Sequence, residues 1–192
     1  MNTDELASSL RAEADALLAR TGILDLMAEY GRAHVSGSYS MGLMTWRDLD
    51  IYLEMSPPDA GRFLELGARI GQALRPRKLS FTDHLNYPST EVLRGLYWGI
   101  KTDELSSGGW KIDLWGVTPE VSAERLAHCR AIEGRMTPQV RSAILRIKSE
   151  VCHLPGYRDS FTSQDVYDAA FAGADTVAGF WRYVQARTRD SA

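Results

Sequence analysis

The segment "DLDIYLE" at 48–54 sets acids and an aromatic against aliphatic side chains with a period of two. That period belongs to a β-strand, in which residues i and i+2 share a face. Leu49, Ile51 and Leu53 bury one side of such a strand. Asp48 and Asp50 then leave the other side together, their Cα atoms about 6–7 Å apart at ~3.3 Å rise per residue. A second strand-like run, "WKIDLWGV" at 110–117, carries Asp113 between Ile112 and Leu114, with Trp110 and Trp115 nearby. A carboxylate in so apolar a run is costly to bury unless it is paired or bound to a metal. Three acids on two buried strands constrain the fold strongly.

The rest of the chain supplies a scaffold for such strands. Residues 4–29 show apolar positions at near-helical spacing, broken at Gly22, and predict one helix or a pair. "AHVSGS" predicts a short strand ending in a Gly/Ser turn, and residues 42–46 one helical turn. After Pro57-Pro58, the spacing of Phe63, Leu66, Ile70 and Leu74 predicts a helix. "KLSFTDHLNY", "LRGLYWGIKT" and "GWKIDLWGV" predict three strands, with "SSGG" at 106–109 as a hairpin turn. Beyond Pro119 the patterns are helical throughout, including "SQDVYDAAFAGADTVAGFWRYVQA", with proline near the N-terminal turns of the first two helices. Strands in the first two thirds and helices in the last predict an α+β fold, a mixed sheet flanked by helices. The expected division is 1–118, with its N-terminal helix, and a helical unit at 119–192.

Composition narrows the functional classes. The chain has 192 residues and a formal net charge of −3, and no basic run appears along it. A protein that grips a long nucleic-acid backbone normally carries a basic stripe, so a nucleic-acid acceptor is not expected, with tRNA left open. Small anionic ligands need only a few cations. Cys129 and Cys152 lie in helical patterns without zinc-type spacing and are expected to be free thiols. No signal-peptide pattern or long apolar run occurs, which predicts a cytoplasmic protein with no membrane partner.

Two carboxylates as close as Asp48 and Asp50 repel each other, and one keeps its proton unless a cation neutralises them. Oxygen ligands facing an open site suit Mg²⁺. With Asp113 they make the donor set of a two-metal phosphoryl-transfer site, its ions roughly 3.5–4 Å apart. Upstream, Gly37 allows backbone amides to approach an anion closely, and Ser38 and Ser40 add hydroxyl donors. A helical turn after Gly42 is expected to point its positive end nearby. Nearby Arg or Lys would offset the charge of a triphosphate, with Arg47 and Lys148 as candidates.

Gly37-Ser38, nine intervening residues, Asp48-Leu49-Asp50 and the later apolar strand bearing Asp113 together resemble the nucleotidyltransferase fold of the polymerase β superfamily. By size and layout the pattern is similar to the small bacterial aminoglycoside and lincosamide nucleotidyltransferases. The resemblance covers roughly residues 31–117. It implies that Gly37 and Ser38 hold nucleotide phosphates, that Asp48 and Asp50 bind Mg²⁺, and that Asp113 binds the catalytic metal and helps deprotonate an acceptor hydroxyl. It also implies an NTP substrate, ATP first, and transfer of an NMP to a hydroxyl of a small molecule with release of pyrophosphate. In such enzymes a C-terminal helical unit commonly closes over the nucleotide. Arg47 stands where many members have a small residue or Ser, and "MGLMTW" is unusually apolar.

Each candidate has a plainer reading. Asp48 and Asp50 could open a strand in solvent, and Asp113 could be exposed at a sheet edge. Asp83 and Glu104 read as surface acids. Lys148 and Arg141 read equally well as surface side chains with buried stems. Tyr97, Trp98, Trp110 and Trp115 are core residues by default, with an acceptor or base pocket as the alternative. Phe180, Trp181 and Tyr183 read as helix-docking residues. The alternative to an enzyme with a small acceptor is a nucleotidyltransferase-like toxin–antitoxin or non-catalytic protein with a protein or tRNA partner.

Overall fold

A computed structural model describes residues 2–90, 92–103 and 108–190. The N-terminal helical pair is α1 (Thr3–Thr21) and α2 (Ile23–Ala28). Asn2 and Glu5 close a reciprocal capping box at its start, and Gly22, at φ +61°, makes the break. β1 (Arg32–Ser36) runs into a single helical turn, α3 (Gly37–Ser40), and then β2 (Asp48–Glu54). Helix α4 (Ala60–Leu74), capped by the Asp59 side chain, leads to β3 (Lys78–Asp83), β4 (Leu96–Thr102) and β5 (Trp110–Val117). Four helices complete the chain: α5 (Pro119–Gly134), α6 (Pro138–Val151), α7 (Ser163–Phe171) and α8 (Val177–Asp190).

The helical turn expected at 42–46 lies earlier, at Gly37–Ser40, and the apolar 42–46 segment supplies buried Leu43 and Met44 instead. The long helical pattern after Ser163 splits into α7 and α8, where Gly173 takes φ +94°. β3 is shorter than its pattern because Asp83 turns the chain, its carboxylate accepting from the Leu85 and Asn86 amides. Part of the expected hairpin turn, Ser106 and Ser107, and the surface acid Glu104 lie outside the described residues.

The five strands form one mixed sheet in the order β1-β2-β5-β4-β3. β2 and β5 are its parallel central pair, and the other pairings are antiparallel. Alternation gives the sheet two unlike faces. Leu49, Ile51, Leu53, Ile112, Leu114 and Ile100 bury one face against α1, α2 and α4 in a continuous apolar core. Trp98 and Trp110 belong to this core, Trp98 donating its indole N–H to the Phe63 carbonyl. A second cluster joins α6, α7 and α8 to Ala7 and Leu43, so the helical C-terminal part packs on the N-terminal part. Phe180 and Trp181 dock there on Phe161. No helix among the described residues is long and apolar enough to cross a membrane.

Candidate active site

The polar face of the sheet is organised in cross-strand rows. In the middle row Ser36, Asp50, Asp113, Gly99 and Ser80 are successive register partners. Asp48 pairs with Lys111 one row away. The parallel β2–β5 pairing thus brings Asp113 beside Asp50 across more than sixty residues of sequence. A sheet-edge placement of Asp113 is excluded, since β5 lies between β2 and β4.

Above this face is a cavity of about 490 Å³ whose other walls come from α5, α6, the loop after α6 and the start of α7. Asp48, Asp50, Asp113, Gly37, Ser38 and Lys148 all line it. Asp50 is half-buried and has the Asp48 and Asp113 carboxylates as neighbours. Its carboxyl is pushed up to about 6, first by desolvation and then by the charges of Asp48 and Asp113. Gly37 lies directly against it. At φ +63° this position favours glycine, and a Cβ built there would fall 2.1 Å from Asp50 Oδ2. The Gly-Ser pattern and the acid pattern are therefore one contact in three dimensions.

Cations and one phenol already answer the other two acids. Lys111 Nζ donates to Asp113 in a close ion pair and lies 3.3 Å from Asp48 Oδ1. Arg158 reaches Asp48 Oδ2 at 3.2 Å from a loop residue at φ +78°, a conformation non-glycine residues seldom adopt. The Tyr97 hydroxyl donates to Asp113 Oδ1 at 2.7 Å. Its own ionisation is pushed up by burial and by that carboxylate. Among the described residues, no three His, Cys, Asp or Glu side chains stand close enough to hold one ion. Asp48 and Asp113 lean onto Lys111 and Arg158. In kind, the donor set fits a hard divalent cation: three carboxylates, no sulfur, and an Asp50 whose charge is disfavoured by burial and then by its two acid neighbours.

Lys148 corrects its surface reading. It is 2% exposed, and its Nζ donates to the Leu43 carbonyl at 2.9 Å while lying 5.3 Å from the Trp46 ring centroid. Burial pulls its ammonium down to about 8, against the opposing pull of Asp48 and Asp50. Two expected residues stand apart from the cavity. Arg47 is held by Glu13 of α1, with Nε–Oε2 at 2.7 Å, and Ser40 donates its hydroxyl to the Gly37 carbonyl. Neither lines the cavity. The single turn α3 stacks too few peptide dipoles to serve as a helix terminus for an anion. Arg141 bridges Asp4 and the Gly42 carbonyl, a structural tie between α6 and the N-terminal region.

Several site residues carried no signal along the chain. Arg125, Arg158 and Tyr157 are ordinary residues in sequence and line the cavity only through folding. Lys111 reaches Asp113 and Asp48 in the same way. The Arg125 Nε is buried and has no hydrogen-bond partner among the described residues. The aromatic walls are Trp46, Tyr52, Tyr157 and Tyr167. Of the four aromatics singled out in sequence, Tyr97 touches Asp113 and Trp115 stacks on Tyr97, with centroids 4.6 Å apart. The cysteines are free, and Cys129 Sγ lies 3.4 Å from Ser36 Oγ.

No protein-family model matches the sequence, and no curated protein sequence matches it. The fold is similar to a solved structure described as a cytoplasmic RNA terminal U-transferase. The two share 12% identity at a TM-score of 0.52, over 83% of this chain and 44% of that one. This chain therefore spans less than half of that neighbour's length. The likeness establishes a nucleotidyltransferase fold, a five-stranded mixed sheet flanked by helices. It adds no support for the narrower likeness to the aminoglycoside and lincosamide enzymes.

Proposed function

We propose that this protein is a Mg²⁺-dependent nucleotidyltransferase that moves an NMP from an NTP to a hydroxyl and releases pyrophosphate. The observation that carries this reading is the register pairing of Asp50 with Asp113, two residues from Asp48, against the left-handed Gly37. Asp48, Asp50 and Asp113 would hold the metal, whose chemistry there is to offset phosphate charge and polarise the α-phosphoryl group.

The chain's own residues do the rest. The acceptor oxygen forms a bond to the α-phosphorus, the bond from that phosphorus to the pyrophosphate oxygen breaks, and the hydroxyl proton passes to Asp113. Tyr97, donating to Oδ1, fixes the orientation of that carboxylate. Lys148, Arg158 and Arg125 line the cavity on the helical side and supply positive charge for the triphosphate. Lys148 in α6 and Arg125 in α5 are anchored before substrate arrives, whereas Arg158 exchanges its Asp48 partner for phosphate in this reading. Gly37 and Ser38 are the phosphate-facing turn in this reading, and Trp46, Tyr157 and Tyr167 offer ring faces for a base. ATP is the first nucleotide to test. The fold neighbour is named for U transfer to RNA, so the acceptor is open beyond the small molecules expected from sequence. The residue ranges 1–118 and 119–192 serve in this reading as catalytic sheet and covering helical unit.

The test is a thermal-shift screen of the four NTPs with and without Mg²⁺, followed by pyrophosphate release with candidate acceptors. Mg²⁺-dependent stabilisation by at least one NTP is expected. Its absence for all four, in a folded protein, would overturn the reading.

A further inference from the structure

Three of the chain's four lysines stand side by side on the open face of the sheet. Lys78 of β3 is the register partner of Lys101 of β4, and Lys101 of Lys111 of β5. The row continues to Asp48 of β2. With neighbouring strands about 4.8 Å apart, the three lysines span about 10 Å. Like charges directly opposite each other destabilise a sheet. Lys111 is answered by Asp48 and Asp113. Among the described residues, neither Lys78 nor Lys101 has a carboxylate in ion-pair range; the nearby Asp103 pairs with Arg77 instead.

These lysines border a groove of about 190 Å³, with Ser80, Tyr97 and Gly99. Gly99 keeps its floor open, since a Cβ there would meet the Tyr97 hydroxyl at 2.9 Å and Ser80 Oγ at 3.0 Å. On the other side of the Asp113 row lie part-exposed rings. Trp115 is flanked by Tyr97 at 4.6 Å and His84 at 5.7 Å between centroids. The cationic track and the aromatic platform flank the Asp113 row on one sheet face, about 13 Å apart at ~3.3 Å per residue. Single-stranded nucleic acid binds such surfaces with phosphates on the cations and bases on the rings. The row is open at the edge strand β3, which suits a chain of phosphates running off the sheet better than one compact molecule.

We propose that this face is the acceptor subsite and that its ligand is a single-stranded oligonucleotide. Its phosphodiester backbone lies along Lys78, Lys101 and Lys111, its bases stack on Trp115, Tyr97 and His84, and its terminal hydroxyl comes to Asp113. This rests on the nucleotidyl-transfer reading and gives it an acceptor. The absence of a basic run along the sequence is no objection, because the stripe is assembled across strands by their register.

The test is fluorescence anisotropy of a fluorescein-labelled oligoadenylate on the full chain with Mg²⁺ and no NTP. Wild-type protein is expected to bind with salt-dependent affinity. The Lys78→Ala/Lys101→Ala variant is expected to bind about tenfold or more weakly, with a salt slope reduced by about 1.4, from ~0.7 per phosphate contact for single strands. Its melting temperature is expected to hold or rise, because like charges have been separated. Trp115→Leu provides an independent loss through the stacking surface. Equal affinity of wild type and the double lysine variant overturns the proposal. So does competition by a sugar monophosphate as effective per phosphate as unlabelled oligonucleotide, which assigns the row to a small phosphorylated acceptor. Oligonucleotide binding without any response to NTP and Mg²⁺ sinks the transfer reading and leaves the row standing. The converse result removes the row and leaves the transfer reading.

Discussion

On one face of the sheet Leu49, Ile51, Ile112, Leu114 and Ile100 are wholly enclosed. On the other face, one residue along each of the same strands, stand Asp48, Asp50, Lys111, Asp113 and Lys101. Each enclosed aliphatic side chain contributes about 1.5–3 kcal/mol relative to exposure. The charged face returns no comparable gain. Three acids share it, the Asp50 carboxyl raised to about 6, and Lys78 and Lys101 face each other with no counter-charge in ion-pair range among the described residues. The apolar face therefore holds in place a charge arrangement that would not assemble by itself. Such local conflict with stability is the usual mark of a functional surface.

Substitutions on the two faces should separate cleanly. The largest effect is expected from Asp50→Asn, which should lower kcat for transfer by about 10³-fold or more while leaving the melting temperature unchanged or higher. Burial and two neighbouring acids already disfavour its charge. Pyrophosphate release and thermal melts read the two quantities together. Leu114→Ala on the opposite face should do the reverse. It should cost about 3 kcal/mol in urea unfolding, with kcat per folded molecule nearly retained. If Leu114→Ala abolished transfer without loss of stability, the division between the faces would be wrong.

Lys148→Gln keeps a donor for the Leu43 carbonyl but removes the charge. Its KM for NTP should rise about tenfold, with a smaller change in kcat. An unchanged KM would show that the buried ammonium serves the packing of α6 rather than the nucleotide.

The smallest expected effect concerns pH. Asp50 holds its proton up to about 6 in the native protein, against 3.8 for an ordinary Asp. Between those values the native state binds more protons than the unfolded chain, so this group's stabilisation is full below about 4 and is lost as pH rises through 6. Without metal, the melting temperature of wild type relative to Asp50→Asn should fall across that window. Mg²⁺ should reverse the fall, since a cation takes the place of the proton. A flat difference would mean that neither burial nor the neighbouring acids raise the Asp50 carboxyl.

Much of the scaffold was legible because periodicity and capping are local. The alternation in 48–54, the break at Gly22 and the threonine–proline starts of α5 and α6 each reflect backbone geometry over a few residues. The helical turn was misplaced because Leu43 and Met44 serve the cores, a demand that a window around 42–46 does not contain. For the candidate site, the carboxylates and the Gly-Ser turn were visible as residue types in unusual surroundings. The cations were not. Lys148 looked like a surface lysine until α6 turned it inward, and Arg47 looked available until α1 supplied Glu13.

The sequence by itself determined which residues share a strand face, where α1, α4, α5 and α6 begin, and that three acids sit in apolar strands. Those properties follow from bond geometry and side-chain spacing. Only the tertiary structure decided that Asp50 faces Asp113, that Gly37 has no room for a Cβ, and that Lys78, Lys101 and Lys111 form one row. The reason is register. Pairing between strands distant in the chain depends on how the whole apolar face packs against α1, α2 and α4, and a slip of one residue would send every one of these charges into the core.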